Sequence, residues 1–419
     1  MRRFTVILAL AMGVGACTLL PGNWHSHPNR PGPGTPTRAN FEVGDQERRD
    51  GLFLGIAISG GGFRAATFAA AVLLELKTLG VLDRADFLSS VSGGSLAAAL
   101  FALDGYEYFT WTGRHKIAFT EEEVRDLLGR DLQLRYTGRW FFPWNALRYW
   151  FTNFSRTDIM FHTLDANLFH GATFADLNPA HPKLLINATE MGDPKRFVFS
   201  DESFAGLGSN LAPYRMSAAV TASAAVPGLF HQVLLQNYSG STPSYLHLSD
   251  GAVTDNLGLE TLLEVLQTSV QHKTYSFPKG CVLISIDATP PFFNSIADKM
   301  ETREFPEDYI IDRNASEAVD FILLPRREDM LARVGVTEGK RDQEPLSEFA
   351  IPEASRERCR FWHIALRHIQ PKDAFGRALT QIPTEFKIRR HQQDHLFEAA
   401  RTLVRHGWEC NRVPSWFVK

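Results

Sequence analysis

The sequence has few cysteines, little net charge and no long apolar run beyond its first residues. Four cysteines among 419 residues cannot supply the disulfide framework that holds small secreted domains together. The formal net charge of -3 includes no basic block, so no nucleic-acid partner is expected. After the N-terminus no apolar run reaches the roughly 18 residues of a membrane span, so we expect a soluble fold built around a large core.

The first residues are typical of an exported protein. Arg2 and Arg3 precede a short apolar stretch, and residues 1–16 end in a small-residue pair directly before Cys17. This ending resembles the lipobox of bacterial lipoproteins, in which the cysteine is acylated and becomes the new N-terminus. The alternative is an ordinary cleaved signal followed by an incidental cysteine. The residue after the cysteine is Thr18 rather than aspartate, as in lipoproteins that are sent to the outer membrane of Gram-negative bacteria.

Composition divides the rest of the chain into a linker and one domain. The stretch from Pro21 to about Asn40 is rich in proline, glycine and small polar residues, which predicts a flexible linker over 17–48 after the lipidated cysteine. Residues 49–419 are predicted to form a single domain. Its three cysteines allow at most one bridge, and Cys359 with Cys410 is favoured because Cys281 begins a strand-like run.

Strand-like and helix-like segments alternate along the domain. Leu52–Ile58 is a continuous apolar run typical of a strand buried on both faces, and a helix-forming stretch follows from Ala65 to Leu79. The pattern repeats with a strand at 86–91 and a helix at 95–103. Further strands are predicted at 183–189, 231–235 and 281–287, with a helix that starts at Thr120 and runs to about Leu134. This order predicts a mostly parallel sheet covered by helices on both faces.

Ser92 occupies the kind of position in which hydrolases place a nucleophile. It follows a short predicted strand and precedes Gly93 and Gly94, which allow a sharp turn into a helix and leave the hydroxyl accessible. Ser90 occupies the first position of the G-x-S-x-G motif, where the motif has glycine. The motif is therefore incomplete, and the segment around Ser92 could be a simple turn. Ser95, one helical turn further, is the rival nucleophile because it also follows two glycines.

A glycine loop precedes this serine by about thirty residues. Gly60, Gly61 and Gly62 end the first strand and begin a helix, whose first backbone N–H groups can face a developing negative charge. We therefore predict an oxyanion hole from these glycines with help from Arg64. A phosphate-binding loop would need a Gly-Lys-Ser/Thr ending, which this sequence does not have.

An acidic turn completes the constellation. Asp250 directly precedes Gly251 and Ala252. The ordered series of glycine loop, elbow serine and Asp-Gly-Ala resembles the patatin-like phospholipases, over roughly residues 52–290. The segments between these motifs also resemble those of the family. The residue sequence of the glycine loop is similar to that of the group-IV cytosolic phospholipases as well, which share the fold. The further segments that carry the resemblance are Asn187–Thr189, Arg196–Phe199 and Thr221–Phe230.

The resemblance implies a fold and a mechanism. The fold is a patatin-like three-layer α/β/α domain with a mostly parallel central sheet, in which residues 300–419 form an extension without a recognised motif. The mechanism is a dyad without histidine, in which Asp250 accepts the proton of Ser92 and the serine forms an acyl-enzyme. The implied substrates are fatty-acyl esters of membrane phospholipids, and neither a cofactor nor a metal is expected.

Two alternatives stay open at this stage. One is an inactive surface lipoprotein that keeps the fold. The other is an esterase with a Ser-His-Asp triad, for which His272, His363 and His368 follow the acid in the chain but lie in no recognisable motif. His247, close to Asp250, could instead support the acid from behind.

An aromatic segment between the serine and the acid allows two interpretations. It contains Trp140, Trp144 and Trp150 among many other rings between Tyr136 and Phe154. It could pack as core under a helical cap. It could also form a lid or acyl-chain channel that meets a bilayer, since tryptophan and tyrosine favour membrane interfaces.

Overall fold

The computed structural model describes residues 29–43, 51–152, 154–271, 277–290, 313–334, 359–369 and 373–409. Three residues singled out in the sequence, Cys17, His272 and Cys410, lie outside these ranges, so the structure does not test the predictions made for them.

An eight-stranded sheet forms the centre of the molecule, and a separate two-stranded ribbon lies apart from it. The strands are β1 (Leu52–Ile58), β2 (Phe87–Val91), β3 (Glu107–Thr110), β4 (Gly113–Lys116), β5 (Lys183–Glu190), β6 (Lys195–Phe199), β7 (Val233–Gln236), β8 (Tyr245–Asp250), β9 (Gly280–Asp287) and β10 (Cys359–Ala365). The sheet order is β10-β9-β1-β2-β5-β8-β7, with β6 also paired to β5, and β3 with β4 forms the ribbon. The five strands from β10 to β5 are parallel, whereas β6, β7 and β8 are joined by antiparallel pairing.

Helices cover both faces of this sheet. They are α1 (Gly62–Thr78), α2 (Gly93–Ala102), α3 (Glu121–Gly129), α4 (Leu132–Phe141), α5 (Pro143–Phe151), α6 (Arg156–Leu164), α7 (Asp201–Gly206), α8 (Met216–Ser223), α9 (Ala252–Asp255), α10 (Leu259–Gln271), α11 (Arg313–Arg333), α12 (Ala374–Thr380) and α13 (Arg390–Glu409). None of the helices in the described ranges combines the length and hydrophobicity that spanning a membrane would require.

Alternation along the central strand explains the three layers. Leu54 and Ile56 of β1 point into one core, together with α1, α2 and α13. Phe53 and Ala57 point into a second core on the opposite face, where α10 and α11 pack. Because side chains alternate along a strand, an apolar run at β1 is buried from both sides. The predicted α/β/α fold with a mostly parallel sheet is therefore confirmed.

The predicted helix from Thr120 to Leu134 is wrong in its second half. Thr120 caps α3 as expected, by accepting a hydrogen bond from the Glu123 backbone, but α3 ends at Gly129. Asp131 then caps a new helix, since its side chain accepts from the backbone N–H of Leu134 at 2.8 Å. This second cap separates the aromatic helices α4 and α5 from α3.

The disulfide pairing favoured by the sequence is also corrected. Cys281 and Cys359 form the disulfide, with their Cα atoms 4.3 Å apart. They begin β9 and β10 and are register partners in the parallel sheet. The strand character of Cys281, which argued against its pairing, brings it next to Cys359, because the neighbouring strand starts with the second cysteine.

Part of the predicted linker packs on the domain. Asn29 is buried, and its side-chain amide donates to Gln236 O at 2.9 Å and to Ser209 Oγ at 3.1 Å. Ala39 lies in the first core. Residues 29–43 therefore differ from the expectation of a flexible linker, since hydrogen bonds and the buried side chains of Ala39 and Val43 hold them against the fold.

Candidate active site

Ser92 lies at the tight turn between β2 and α2. Its backbone has φ 50° and ψ -125°, a region that residues with a side chain rarely adopt. The following glycines allow this turn to pack closely. A Cβ atom on Gly93 would lie 2.0 Å from Gly62 O, and one on Gly94 would lie 2.5 Å from Ser59 O. Larger residues at either position would push the serine turn away from the glycine loop.

The serine and the predicted acid are in direct contact. Ser92 Oγ donates to Asp250 Oδ2 at 2.8 Å, which confirms the predicted proximity. The other carboxylate oxygen, Oδ1, accepts from the backbone N–H of Ala252 at 2.9 Å. Gly251 between them lies so close to Asn187 that a Cβ atom there would be 2.4 Å from its carbonyl oxygen. The sequence Asp250-Gly251-Ala252 thus holds Oδ1 of the acid and orients Oδ2 toward Ser92.

Ser223 connects the serine turn to the acidic turn. Its Oγ accepts from the Ser92 backbone N–H at 2.8 Å and donates to Asn187 O at 2.6 Å. The rival Ser95 is completely buried, with its Oγ 3.0 Å from Ser223 Oγ. Ser95 therefore supports the turn, whereas Ser92 lines a cavity. Sequence reasoning recognised the segment around Ser223 but assigned this serine no role.

Two residues of the glycine loop border the same cavity. Gly61 and Gly62 line it, and no described residue accepts a hydrogen bond from the N–H of either. The neighbouring groups are engaged, because Gly60 N–H donates to Asn256 O at 3.0 Å and Phe63 N–H donates to Glu385 O at 2.9 Å. Gly60, which the sequence prediction included among the oxyanion donors, therefore holds the loop instead.

Arg64 also acts differently from the prediction. Its buried guanidinium donates through Nε to Ala288 O at 3.0 Å and through Nη1 to Ile382 O at 3.1 Å. These bonds connect the glycine loop to the end of β9 and to the segment after α12. Arg64 thus braces the loop from behind rather than facing the cavity, since two backbone carbonyls fix its orientation.

The cavity at the serine is narrow and mostly apolar. The space that water can enter is about 40 Å³, and Ser92 is 7% exposed while Asp250 is 1% exposed. Ser92 and Asp250 both line it. The apolar walls are Leu96, Leu164, Val220, Val226, Leu229, Leu323 and Phe386. An apolar lining of this kind suits the hydrocarbon part of a ligand, and its low polarity strengthens hydrogen bonds to a developing charge.

Comparison with known proteins agrees with this geometry. Residues 56–263 match the family model described as patatin-like phospholipase. This chain carries a patatin-like phospholipase domain. The matched range contains the serine turn, the glycine loop and Asp250. No curated protein sequence matches the chain.

Solved structures similar to this chain include a human and a bacterial protein. Human GIVD cytosolic phospholipase A2 is 11% identical with a TM-score of 0.48, and the match covers 86% of this chain and 62% of that chain. VipD from Legionella pneumophila is 12% identical with a TM-score of 0.32, and covers 84% of this chain and 67% of that chain. The chain thus spans less than two thirds of the length of the human protein.

Two of the histidines considered for a triad, His363 and His368, are engaged elsewhere in the domain. His363 is buried on β10, and its Nε2 lies 3.0 Å from Asp287 Oδ2. His368 packs edge-on against His363, with ring centroids 5.0 Å apart. His247, the residue proposed to support Asp250, is exposed on β8 with Nδ1 3.0 Å from Gln232 Oε1. In the parts of the chain that the structure describes, no group of three or more His, Cys, Asp or Glu could hold a metal ion.

A buried ion pair lies behind the glycine loop. Asp287, at the end of β9, binds Arg327 of α11 as well as His363. Although burial opposes its charge, the guanidinium of Arg327 lowers the pKa of Asp287 well below its usual value. The same helix carries Leu323 into the wall of the cavity. The ion pair therefore fixes α11 against the site.

Sequence reasoning missed the contribution of the C-terminal extension. Glu385 accepts the Phe63 N–H, and Phe386 lines the cavity. Leu323 does so from α11. These residues carry no motif, because a backbone carbonyl or an apolar wall can come from almost any residue type. Only the return of the extension to the carboxyl ends of β1 and β9 brings them to the site.

Proposed function

We propose that this protein is a serine acyl hydrolase of the phospholipase A or lysophospholipase type, which cleaves fatty-acyl esters of membrane lipids through a dyad of Ser92 and Asp250. The family match supports a lipid acyl hydrolase. The hydrogen bond of 2.8 Å between Ser92 Oγ and Asp250 Oδ2, at a strained turn beside an apolar cavity, is the observation that carries the dyad.

The reaction proceeds in two stages. Asp250 accepts the proton of Ser92 as the serine oxygen attacks the ester carbonyl carbon, and the N–H groups of Gly61 and Gly62 bind the resulting oxyanion. Collapse of this intermediate expels the alcohol, which takes the proton from Asp250. Water then attacks the acyl-serine with Asp250 as general base, and releases the fatty acid and free serine.

A fluorophosphonate probe tests the dyad directly. The wild-type protein should become labelled at Ser92, and labelling should be lost in Ser92→Ala and fall by about 10⁴-fold in rate in Asp250→Asn. Ser95→Ala is the matched control because its hydroxyl is buried beside Ser223, and it should keep reactivity at Ser92. Labelling of folded Ser92→Ala at Ser95 would contradict the assignment. Absent labelling of the folded wild-type protein would favour an inactive lipoprotein.

The N-terminus supports a second part of the proposal, that acylation of Cys17 anchors the protein to the outer membrane of a Gram-negative bacterium. The lipobox-like sequence before Cys17 is its basis. Two or more acyl chains would hold it firmly, since each buried methylene contributes about 0.8 kcal/mol. Replacing Cys17 with Ser should abolish incorporation of radioactive palmitate and lower the share of active enzyme in the membrane fraction of cells. Wild-type protein that incorporates no palmitate would refute the anchor.

A further inference from the structure

The aromatic helices form a hairpin with two unlike faces. The aromatic hairpin is defined here as α4 and α5, residues 132–151. On its inner face Tyr136 is buried, and Trp140 packs against Tyr136 and Tyr149 with ring centroids 6.4 and 4.7 Å apart. On its outer face six large apolar side chains are between 50% and 76% exposed. They are Leu134, Phe141, Phe142, Trp144, Leu147 and Trp150.

This separation answers the question that the sequence left open. Trp140 belongs with the packing interior, where the Arg156 guanidinium also lies 5.2 Å from its ring. Trp144 and Trp150 do not share that environment and face outward. Grouping the three tryptophans as one functional unit was therefore wrong, because Trp140 lies on α4 and packs inward, whereas Trp144 and Trp150 lie on α5 and are exposed.

The charge of the aromatic hairpin is opposite to that of the chain. Residues 132–151 contain Arg135, Arg139 and Arg148 and no aspartate or glutamate, whereas the whole chain has a net charge of -3. Arg135 donates to Asn167 Oδ1 at 2.8 Å, and the Arg148 guanidinium lies 4.1 Å from the Phe154 ring, so an anionic surface bound here would meet Arg139. An arginine near exposed tryptophans suits an anionic surface that is apolar just below its charges.

Aromatic contacts connect the hairpin to the active site. Tyr136 packs edge-on against Phe230 with ring centroids 6.2 Å apart, and Phe230 packs against Phe386 at 5.6 Å. Phe386 lines the cavity that contains Ser92. The hairpin is therefore connected through Phe230 to the wall of the Ser92 cavity, and a bilayer bound to its outer face would lie near that cavity.

We propose that the aromatic hairpin docks the protein on an anionic lipid bilayer, with the side chains of Trp144 and Trp150 in the interface and Arg139 beside the lipid headgroups. The inference deepens the proposed function, since an enzyme acting on membrane lipids must hold its cleft at the bilayer. It names a surface of the folded domain, separate from any acyl chain at Cys17.

Vesicle binding of the full chain tests this surface. All variants carry Cys17→Ser and Ser92→Ala, so neither an acyl anchor nor hydrolysis contributes. Co-sedimentation is measured with vesicles of equal parts phosphatidylcholine and phosphatidylglycerol. Trp144→Ala with Trp150→Ala should raise the apparent Kd at least about tenfold, and Arg139→Gln about fivefold. Vesicles of phosphatidylcholine alone should show no effect of Arg139→Gln.

The chain offers a matched control for the tryptophans. Trp111, in the turn between β3 and β4, is 97% exposed, and Trp111→Ala should change binding less than twofold. Melting temperatures of all variants should equal that of the parent, because the replaced tryptophans are exposed. Equal losses from Trp111→Ala, or unchanged binding of the double variant, would overturn the proposal. A parent dimer that the double variant converts to monomer would assign the face to a second copy instead.

The outcomes separate docking from catalysis. Fluorophosphonate labelling of Ser92 in solution, in the protein with an intact serine, should be unaffected by Trp144→Ala with Trp150→Ala. Tight vesicle binding without labelling would support the docking surface and contradict the proposed hydrolase activity. Labelling without vesicle binding would support the hydrolase activity and contradict the docking surface.

Discussion

The turn around Ser92 and the aromatic hairpin belong to one domain but have opposite surroundings. At the serine turn, backbone atoms of three chain segments approach so closely that only glycine fits at Gly93, Gly94 and Gly251. In the hairpin, Gly138 has no atom within 4 Å of an added Cβ, and large apolar side chains face outward. The reaction centre depends on fixed backbone positions, whereas the hairpin depends on which side chains it exposes. The same kind of substitution should therefore have different consequences in the two regions.

Among substitutions that compare the two regions, Gly93→Ala should have the largest effect. The added methyl would lie 2.0 Å from Gly62 O, so the glycine loop or the serine turn must move. Displacing oxyanion donors costs on the order of 100-fold or more in activity, which is measured on a short-chain soluble ester. Gly93→Ala protein that is folded and fully active would show that the close approach is not required.

A smaller effect, on stability, is expected behind the glycine loop. Arg327→Met leaves Asp287 buried with only His363 beside it, and should lower the free energy of unfolding by about 3 to 5 kcal/mol. Urea unfolding measures this. Arg333→Met is the control on the same helix, because its partner Asp329 and its own side chain are exposed. The control should lose less than about 1 kcal/mol. Equal losses would show that burial of the Asp287 pair contributes nothing specific.

The pH dependence of stability should report the same cluster. Burial lowers the pKa of His363 below its usual 6.5, so below pH 6.5 the unfolded chain binds more protons at this residue than the folded protein. Its contribution to the free energy of unfolding is therefore lost as pH falls below 6.5. His363→Gln should make the decrease between pH 7.5 and pH 5 shallower than in the wild type.

The wild-type protein is the necessary reference for this measurement. Burial raises the pKa of Asp255 to about 6, so that carboxyl adds stability as pH falls through about 6 and partly opposes His363. The difference between wild type and His363→Gln cancels the Asp255 contribution. Parallel pH profiles of the two proteins would refute a role for His363.

The smallest effect is expected from Gly138→Ala in the aromatic hairpin. Gly138 lies in the interior of α4, where alanine is favoured over glycine by about 0.5 to 1 kcal/mol, and nothing obstructs its methyl group. The variant should be slightly more stable by urea unfolding, with unchanged reactivity at Ser92. A loss of activity comparable to that of Gly93→Ala would remove the distinction between the two regions.

Local sequence patterns predicted much of the fold because their causes are local. The apolar run at β1 and the strand-glycine-helix repeats were predicted almost to the residue, since burial on both faces and glycine turns leave a signature in neighbouring positions. The helix from Thr120 was predicted too long, because a second cap at Asp131 competes with continued helix. The disulfide was mispredicted because strand adjacency, which decides it, is not a local property.

The chemical groups of the site were determined by the sequence itself. Ser92, Asp250, Gly61 and Gly62 are each identifiable because a strained turn, an acid before a tight turn and a glycine loop need those residue types. Only the tertiary structure decided their neighbours. Ser223 bridges the turns, Arg64 braces the loop and Gly60 donates to Asn256. These contacts form because the fold brings together segments that are far apart in sequence. Exposure, too, is tertiary: the same tryptophan-rich segment became interior at residue 140 and surface at residues 144 and 150, because packing against α6 and Phe230 covers only one face of the hairpin.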